Sequence, residues 1–181
     1  MGLFGFGKEK KSLPEIRDMV WINNPSKQKG VLNFLQKTQN AILVAWFTET
    51  QEQFDWFLNG QNNLGVTIEL ARTIYAGKAE GKKLILLEHY PLRSKEEDLI
   101  SKLQPAGVVV FNSLEEPLFA HFGGDRLTQM ISSLGLKEDE MIEHPMISKS
   151  IEQAQQKLEK EIIVEHTTNS QKEWMEKNIH K

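Results

Sequence analysis

The sequence contains no cysteine, which excludes disulfide frameworks, thiolate nucleophiles and cysteine-ligated metal sites. It also lacks any apolar run near the ~20 residues that a membrane-crossing helix needs. Charge of one sign is not in excess either. Lys and Arg number 22 against 25 Asp and Glu, a net −3, so there is no general basic field to draw nucleic acid. The five histidines, at positions 89, 121, 144, 166 and 180, never fall at a metal-ligand spacing. No G-x-x-x-x-G-K-S/T phosphate loop occurs: Gly77-Lys78 and Gly81-Lys82 run into Ala79 and Lys83 and lack the upstream glycine. The G-x-G of Gly5-Phe6-Gly7 has no strand before it. The expectation is therefore no cofactor, with ATP binding unsupported by any motif, and no nucleic-acid partner.

What is present is the composition of a globular chain, 39% hydrophobic and 26% charged over 181 residues, a length that suits one domain. Residues 1–15 read as a flexible leader. Its Leu3, Phe4 and Phe6 beside Lys8, Lys10 and Lys11 allow at most a peripheral membrane touch. Residues 16–163 read as the domain and residues 164–181 as a polar tail, expected to fray from Glu165 onward, with Trp174 the residue able to pin it. The expected compartment is the cytoplasm.

Within the domain a strand–cap–helix pattern recurs. Ala41-Ile42-Leu43-Val44-Ala45-Trp46-Phe47 is followed by Thr48 and Gln51, Leu84-Ile85-Leu86-Leu87 by Ser94 and Glu97, and Val108-Val109-Val110-Phe111 by Ser113 and Glu116. Each hydroxyl–carboxyl or hydroxyl–amide pair has capping-box spacing. Apolar runs without alternation, separated by helices, predict a mostly parallel sheet buried on both faces. Weaker strands are expected at 66–70 and 19–22, a short helix or loop at 73–83, and about 4–5 strands in all in a three-layer α/β architecture, with helices closing the C-terminal part. Leu127, Met130, Ile131 and Leu134 mark one of these. Ile147, Ile151, Ala154 and Leu158 mark another, a narrow apolar stripe that can dock on its own domain or hold a protein partner. Trp46, Trp56 and Phe57 read as core.

In open parallel sheets ligands bind beyond the carboxyl ends of the strands. That edge would carry Thr48-Glu49-Thr50, Glu88-His89-Tyr90 through Arg93, and Asn112-Ser113. Glu88, His89 and Arg93 form the most reactive set, a candidate acid–base or small-molecule site, weighed against simple capping and ion pairing.

The run Ser113-Leu114-Glu115-Glu116-Pro117-Leu118-Phe119, then Phe122-Gly123-Gly124-Asp125-Arg126, Leu134-Gly135-Leu136-Lys137-Glu138-Asp139-Glu140 and Ile142-Glu143-His144-Pro145-Met146-Ile147-Ser148, closely resembles SecA, the ATPase motor of bacterial preprotein translocation. The resemblance implies a second nucleotide-binding domain, RecA-like and hence half of a P-loop-NTPase-like motor, leading into helices. It also implies departures. The family's arginine-finger motif Q-L-R-G-R falls on Asp98-Leu99-Ile100-Ser101-Lys102, where only Leu99 agrees, and an arginine finger contributes ~10³–10⁵ to phosphoryl transfer. The first motor domain, with its phosphate loop, has no room in this length. A degenerate, non-catalytic domain is expected, one that binds SecA or another translocation component.

Overall fold

The computed structural model describes residues 13–122, 137 and 139–179. Five strands, β1 (Ile16–Trp21), β2 (Ala41–Ala45), β3 (Ile68–Leu70), β4 (Lys83–Leu86) and β5 (Gly107–Ser113), form one sheet in the order β1-β5-β4-β2-β3. Every neighbouring pair is parallel. This is the expected α/β sandwich with a RecA-like three-layer arrangement, and the five strands lie at or within a few residues of the predicted runs.

Parallel strands carry apolar side chains on both faces because helices cover both. On one face Met19, Leu43, Ile85, Leu87, Val109 and Phe111 meet helices α1 (Asn24–Lys37) and α2 (Thr48–Asp55) through Val31 and Phe54. On the other, Ile42, Val44, Leu84, Leu86, Val108 and Val110 meet Leu99, Ile100 and Leu103 of α3 (Arg93–Leu103). The turn residues Ala71, Ile74 and Ala79 complete that layer. Residues 71–79 form turns, the loop alternative of the expectation.

A third cluster closes the carboxyl end of the sheet. Val20, Phe47, Leu92 and Leu114 pack there with α4 (Pro117–His121), α5 (Pro145–Glu161) and α6 (Gln171–Asn178). Ile142 extends it by pairing antiparallel with Val20 at the free edge of β1. The stripe Ile147, Ile151, Ala154 and Leu158 lies in this layer, 3%, 4%, 8% and 0% exposed. That corrects its reading as a partner-binding face: the stripe is covered by its own domain.

Other expectations change as well. The tail does not fray from Glu165. Ser170 caps α6 by accepting from the Glu173 N–H at 3.1 Å, and Trp174 is fully buried, its ring edge-on to Tyr90. None of the three predicted boxes forms a standard cap. Thr48 accepts instead from Arg72 at 3.1 Å, and Gln51 ties α2 to β3 through the Ile68 carbonyl at 2.7 Å. The Ser94 N–H donates to Glu159 at 2.6 Å. The Glu116 carboxylate does accept from the Ser113 N–H, at 2.9 Å, but in the turn before α4. Trp56 is 62% exposed rather than core, because the chain passes there into a π-helical turn, Trp56–Gln61, that swings it outward. The predicted helix at Leu127, Met130, Ile131 and Leu134 lies outside the described residues.

Candidate functional site at the carboxyl edge of the sheet

Just beyond the carboxyl end of β4 stand two consecutive ionisable residues, Glu88 and His89, whose side chains go different ways. Glu88 is buried against the start of α2. Its Oε1 accepts from the Trp46 and Phe47 N–H groups, each at 3.1 Å, and its Oε2 from the Thr50 hydroxyl at 2.6 Å. Beside it, Lys27 of α1 reaches Glu116 with Nζ 2.6 Å from Oε1. Lys27 and Glu116 are themselves 4% and 7% exposed. Burial pushes the Glu88 carboxyl up to about 7, against the pull of the Lys27 charge and the Thr50 hydrogen bond and with the help of the Glu116 charge. A cavity of about 140 Å³ opens here, walled by Asn24, Thr50, Glu88, Glu115 and Glu116 among others.

His89 turns the other way and is sealed. Its Nε2 lies 2.8 Å from Asp18 of β1 and its Nδ1 2.8 Å from Glu96 of α3. Glu96 also accepts from the Tyr90 N–H at 2.8 Å. Burial alone would lower the imidazole pKa; the carboxylates of Glu96 and Asp18 outweigh it and raise it to about 10. Asp18, also buried, is held below its usual value by the His89 charge and hydrogen bond and by Ser148. His89 is thus an imidazolium locked between two carboxylates, without the free nitrogen a general base requires.

Arg93 stands apart from both, on the far side of Glu96. Its Nη1 is 3.6 Å from Glu96 Oε2 and its Nε 3.2 Å from Glu97, and it lines a groove of about 770 Å³ with Arg17, Glu143 and Lys149. Glu88 and Arg93 therefore line different cavities, and His89 lines neither of them. Glu96 joins the second to the third, and Glu88 belongs with Lys27, Thr50 and Glu116. Sequence reasoning named Glu116 only as a cap and missed Lys27, Asp18 and Glu96. A lysine three residues after an Asn-Asn-Pro helix start was the one local signal that a cation sits at the end of β1.

The positions that align with the family's arginine motif lie on α3. Leu99 and Ile100 enter the core, and the Lys102 ammonium donates to the Ile74 carbonyl at 2.5 Å. Among the described residues no helix is long and apolar enough to cross a membrane.

No family model matches the chain. The protein translocase subunit SecA of Phocaeicola vulgatus is 39% identical over 136 residues, 73% of this chain and 12% of that SecA. SecA of Bacteroides thetaiotaomicron is 38% identical over 99 residues, 52% of this chain and 9% of the relative. SecA of Psychrobacter cryohalolentis reaches 59% over 49 residues, 27% of this chain and 5% of the relative. The chain spans 12% or less of the length of these curated relatives. With the parallel α/β architecture described above, these matches assign the chain to the SecA family, of which it represents one domain-sized part.

Proposed function

We propose that this SecA-family domain serves preprotein translocation in the cytoplasm as a protein-binding, non-hydrolytic accessory, with SecA or another translocation component as its partner. The observation that carries the non-hydrolytic reading is the charge at the carboxyl edge of the sheet. Glu49, Glu115 and Glu116 line the cavity there, with Glu88 half-ionised near neutrality, against Lys172 and the buried Lys27, which is already paired with Glu116. A polyphosphate needs cations and free N–H groups at that edge; here it would meet net negative charge. The cavity of about 140 Å³ is also well below the ~300–1,000 Å³ of small-molecule sites. Lys102, where the family has an arginine, is engaged with a backbone carbonyl and cannot form a bidentate fork.

The translocation link rests on the sequence relationship. Its test has two arms. Calorimetric titration of the purified chain with magnesium-ATP is expected to give no saturable heat, and saturable heat accompanied by turnover would overturn the non-hydrolytic reading. Immobilised chain is expected to retain SecA or a translocon component, identified by mass spectrometry. Retention of neither would overturn the accessory role.

A further inference from the structure

We infer that residues 165–179, the segment carrying α6, form a docking module that two copies of this chain exchange, each seating it on the sheet edge of the other. The segment organises itself. The Asn178 side chain clips both backbone groups of His166, accepting from its N–H at 2.6 Å and donating to its carbonyl at 3.0 Å. The Asn169 N–H donates to Glu173 at 3.1 Å, and the Trp174 indole N–H to Glu165 at 2.9 Å. With the Ser170 cap, these bonds close the segment on itself. A helix of 8 residues holds poorly in isolation, and such local bonds lower the ordering cost of docking it.

Its attachment to the rest of the domain is of a different kind. Among the described residues a single backbone–backbone bond joins the two, from the Glu49 N–H to the Asn169 carbonyl at 3.0 Å. The other polar links run through side chains. Gln171 accepts from the Leu118 N–H and donates to the His89 carbonyl, each at 2.9 Å. Glu165 accepts from the Tyr90 hydroxyl and lies 3.4 Å from the Lys95 ammonium. The buried Gln171, Trp174, Met175 and Asn178 fall at i, i+3, i+4 and i+7, the spacing of a helix laid in a groove. A module arriving from another molecule makes all of these contacts equally well.

The connection supplies a reason to exchange. Between α5 and Glu165 lie Ile162, Ile163 and Val164. Ile163 is 97% and Val164 71% exposed, and among the described residues neither makes a backbone hydrogen bond. Reciprocal exchange keeps every docking contact and changes only this hinge, and two-fold symmetry sets the two hinges beside each other. The Ile163–Val164 pairs of the two copies then cover one another, and burying side chains that stand in water in the single copy favours the exchanged dimer.

The absence of cysteine lets a disulfide between copies report the exchange directly. Glu49 and Asn169 meet across the docking contact and both side chains are exposed, so Glu49→Cys and Asn169→Cys each retain the fold. The two variants of the full chain are refolded together from urea, oxidised and separated on a non-reducing gel. A disulfide joining unlike variants is expected, about tenfold more abundant than either same-variant product, because exchange alone brings the two thiols together. After the same refolding, the unsubstituted chain should show a species of twice its 20.8 kDa mass in sedimentation velocity. The double variant Ile163→Ser/Val164→Ser alters only exposed side chains, and should lower the amount of that species about tenfold. A sample that stays monomeric, or unlike disulfides no more abundant than like ones, would overturn the exchange. A dimer indifferent to the hinge variant would overturn it too, by placing the contact between copies elsewhere. The exchange is independent of the translocation role, which neither result alters.

Discussion

Glu88 and His89 are adjacent in sequence and equally buried, yet they head two charge clusters of opposite character. Around His89, both buried carboxylates hydrogen-bond the one imidazolium, and Arg93, shared with Glu97, supplies a further cation on the outer side of Glu96. Each buried carboxylate meets the central cation. Around Glu88, one ammonium faces two carboxylates with no second buried cation among the described residues. Charges do not cancel, and the molecule answers by letting one carboxyl hold its proton near neutrality. Buried ion clusters that balance serve as structure, while an unbalanced one bordering a cavity retains the capacity to respond to a ligand or to pH.

Removing the centre of the balanced cluster tests this most severely. His89→Gln leaves Asp18 and Glu96 facing each other without a cation between them, and is expected to cost ~3–5 kcal/mol in urea unfolding at neutral pH. A loss under about 1 kcal/mol would show that the imidazolium is dispensable and erase the contrast. Lys27→Met should be milder, about 2 kcal/mol, because Glu88 can take up a proton when the ammonium is gone. Its cost should shrink at pH 5.5; a cost independent of pH would place Glu88 outside the unbalanced cluster.

Smallest at neutral pH is Glu88→Gln, expected within about 1 kcal/mol of the parent, since the amide oxygen can still accept from Trp46 and Phe47. Its signature is a slope. The folded-state pKa of Glu88, about 7, lies above its ordinary 4.5. The stability it contributes is therefore fully present below 4.5 and lost as pH rises through about 7. Burial sets this value, opposed by the Lys27 charge, the Thr50 hydroxyl and the Phe47 N–H and assisted by the Glu116 charge. The variant should flatten the decline of melting temperature between pH 5 and 8; an unchanged decline would assign the titration to another group. His89 behaves oppositely in range. Its pKa is raised from 6.5 to about 10, so its contribution is fully present below 6.5, declines as pH rises from there and is gone above about 10. The variant His89→Gln should flatten the decline of stability between about pH 6.5 and 10 and leave the slope below about pH 6 untouched.

Much of the scaffold was legible because the signals are local. An unbroken run such as Val108-Val109-Val110-Phe111 announces a strand covered on both faces, and the i, i+4, i+7, i+11 stripe of α5 announces an amphipathic helix. Which surface that stripe meets is a tertiary fact; the facing residues, Val20, Phe47 and Trp174, come from across the chain. The capping boxes failed for a related reason. Ser94 and Thr48 met partners, Glu159 and Arg72, that sequence spacing cannot reveal. A valid signal of the same kind, Ser170 with Glu173, was overlooked inside a segment judged by its polarity. The two charge clusters were the least legible. Asp18 is 71 positions from His89 and Lys27 89 from Glu116, so only the order of strands brings them together.

That order has a bearing on how the polypeptide reaches its final form. Among the strands, β1 pairs with β5 alone, and β5 in turn separates β1 from β4. During synthesis β1 emerges first but waits for the last strand to be made before it gains a neighbour, while β2, β3 and β4 can already associate. Its apolar residues Met19, Val20 and Trp21 are unsheltered over that interval, and contacts so remote along the chain form slowly. Pairing of β1 with β5 joins the strands most distant along the chain of any pair in the sheet, and so closes its largest loop.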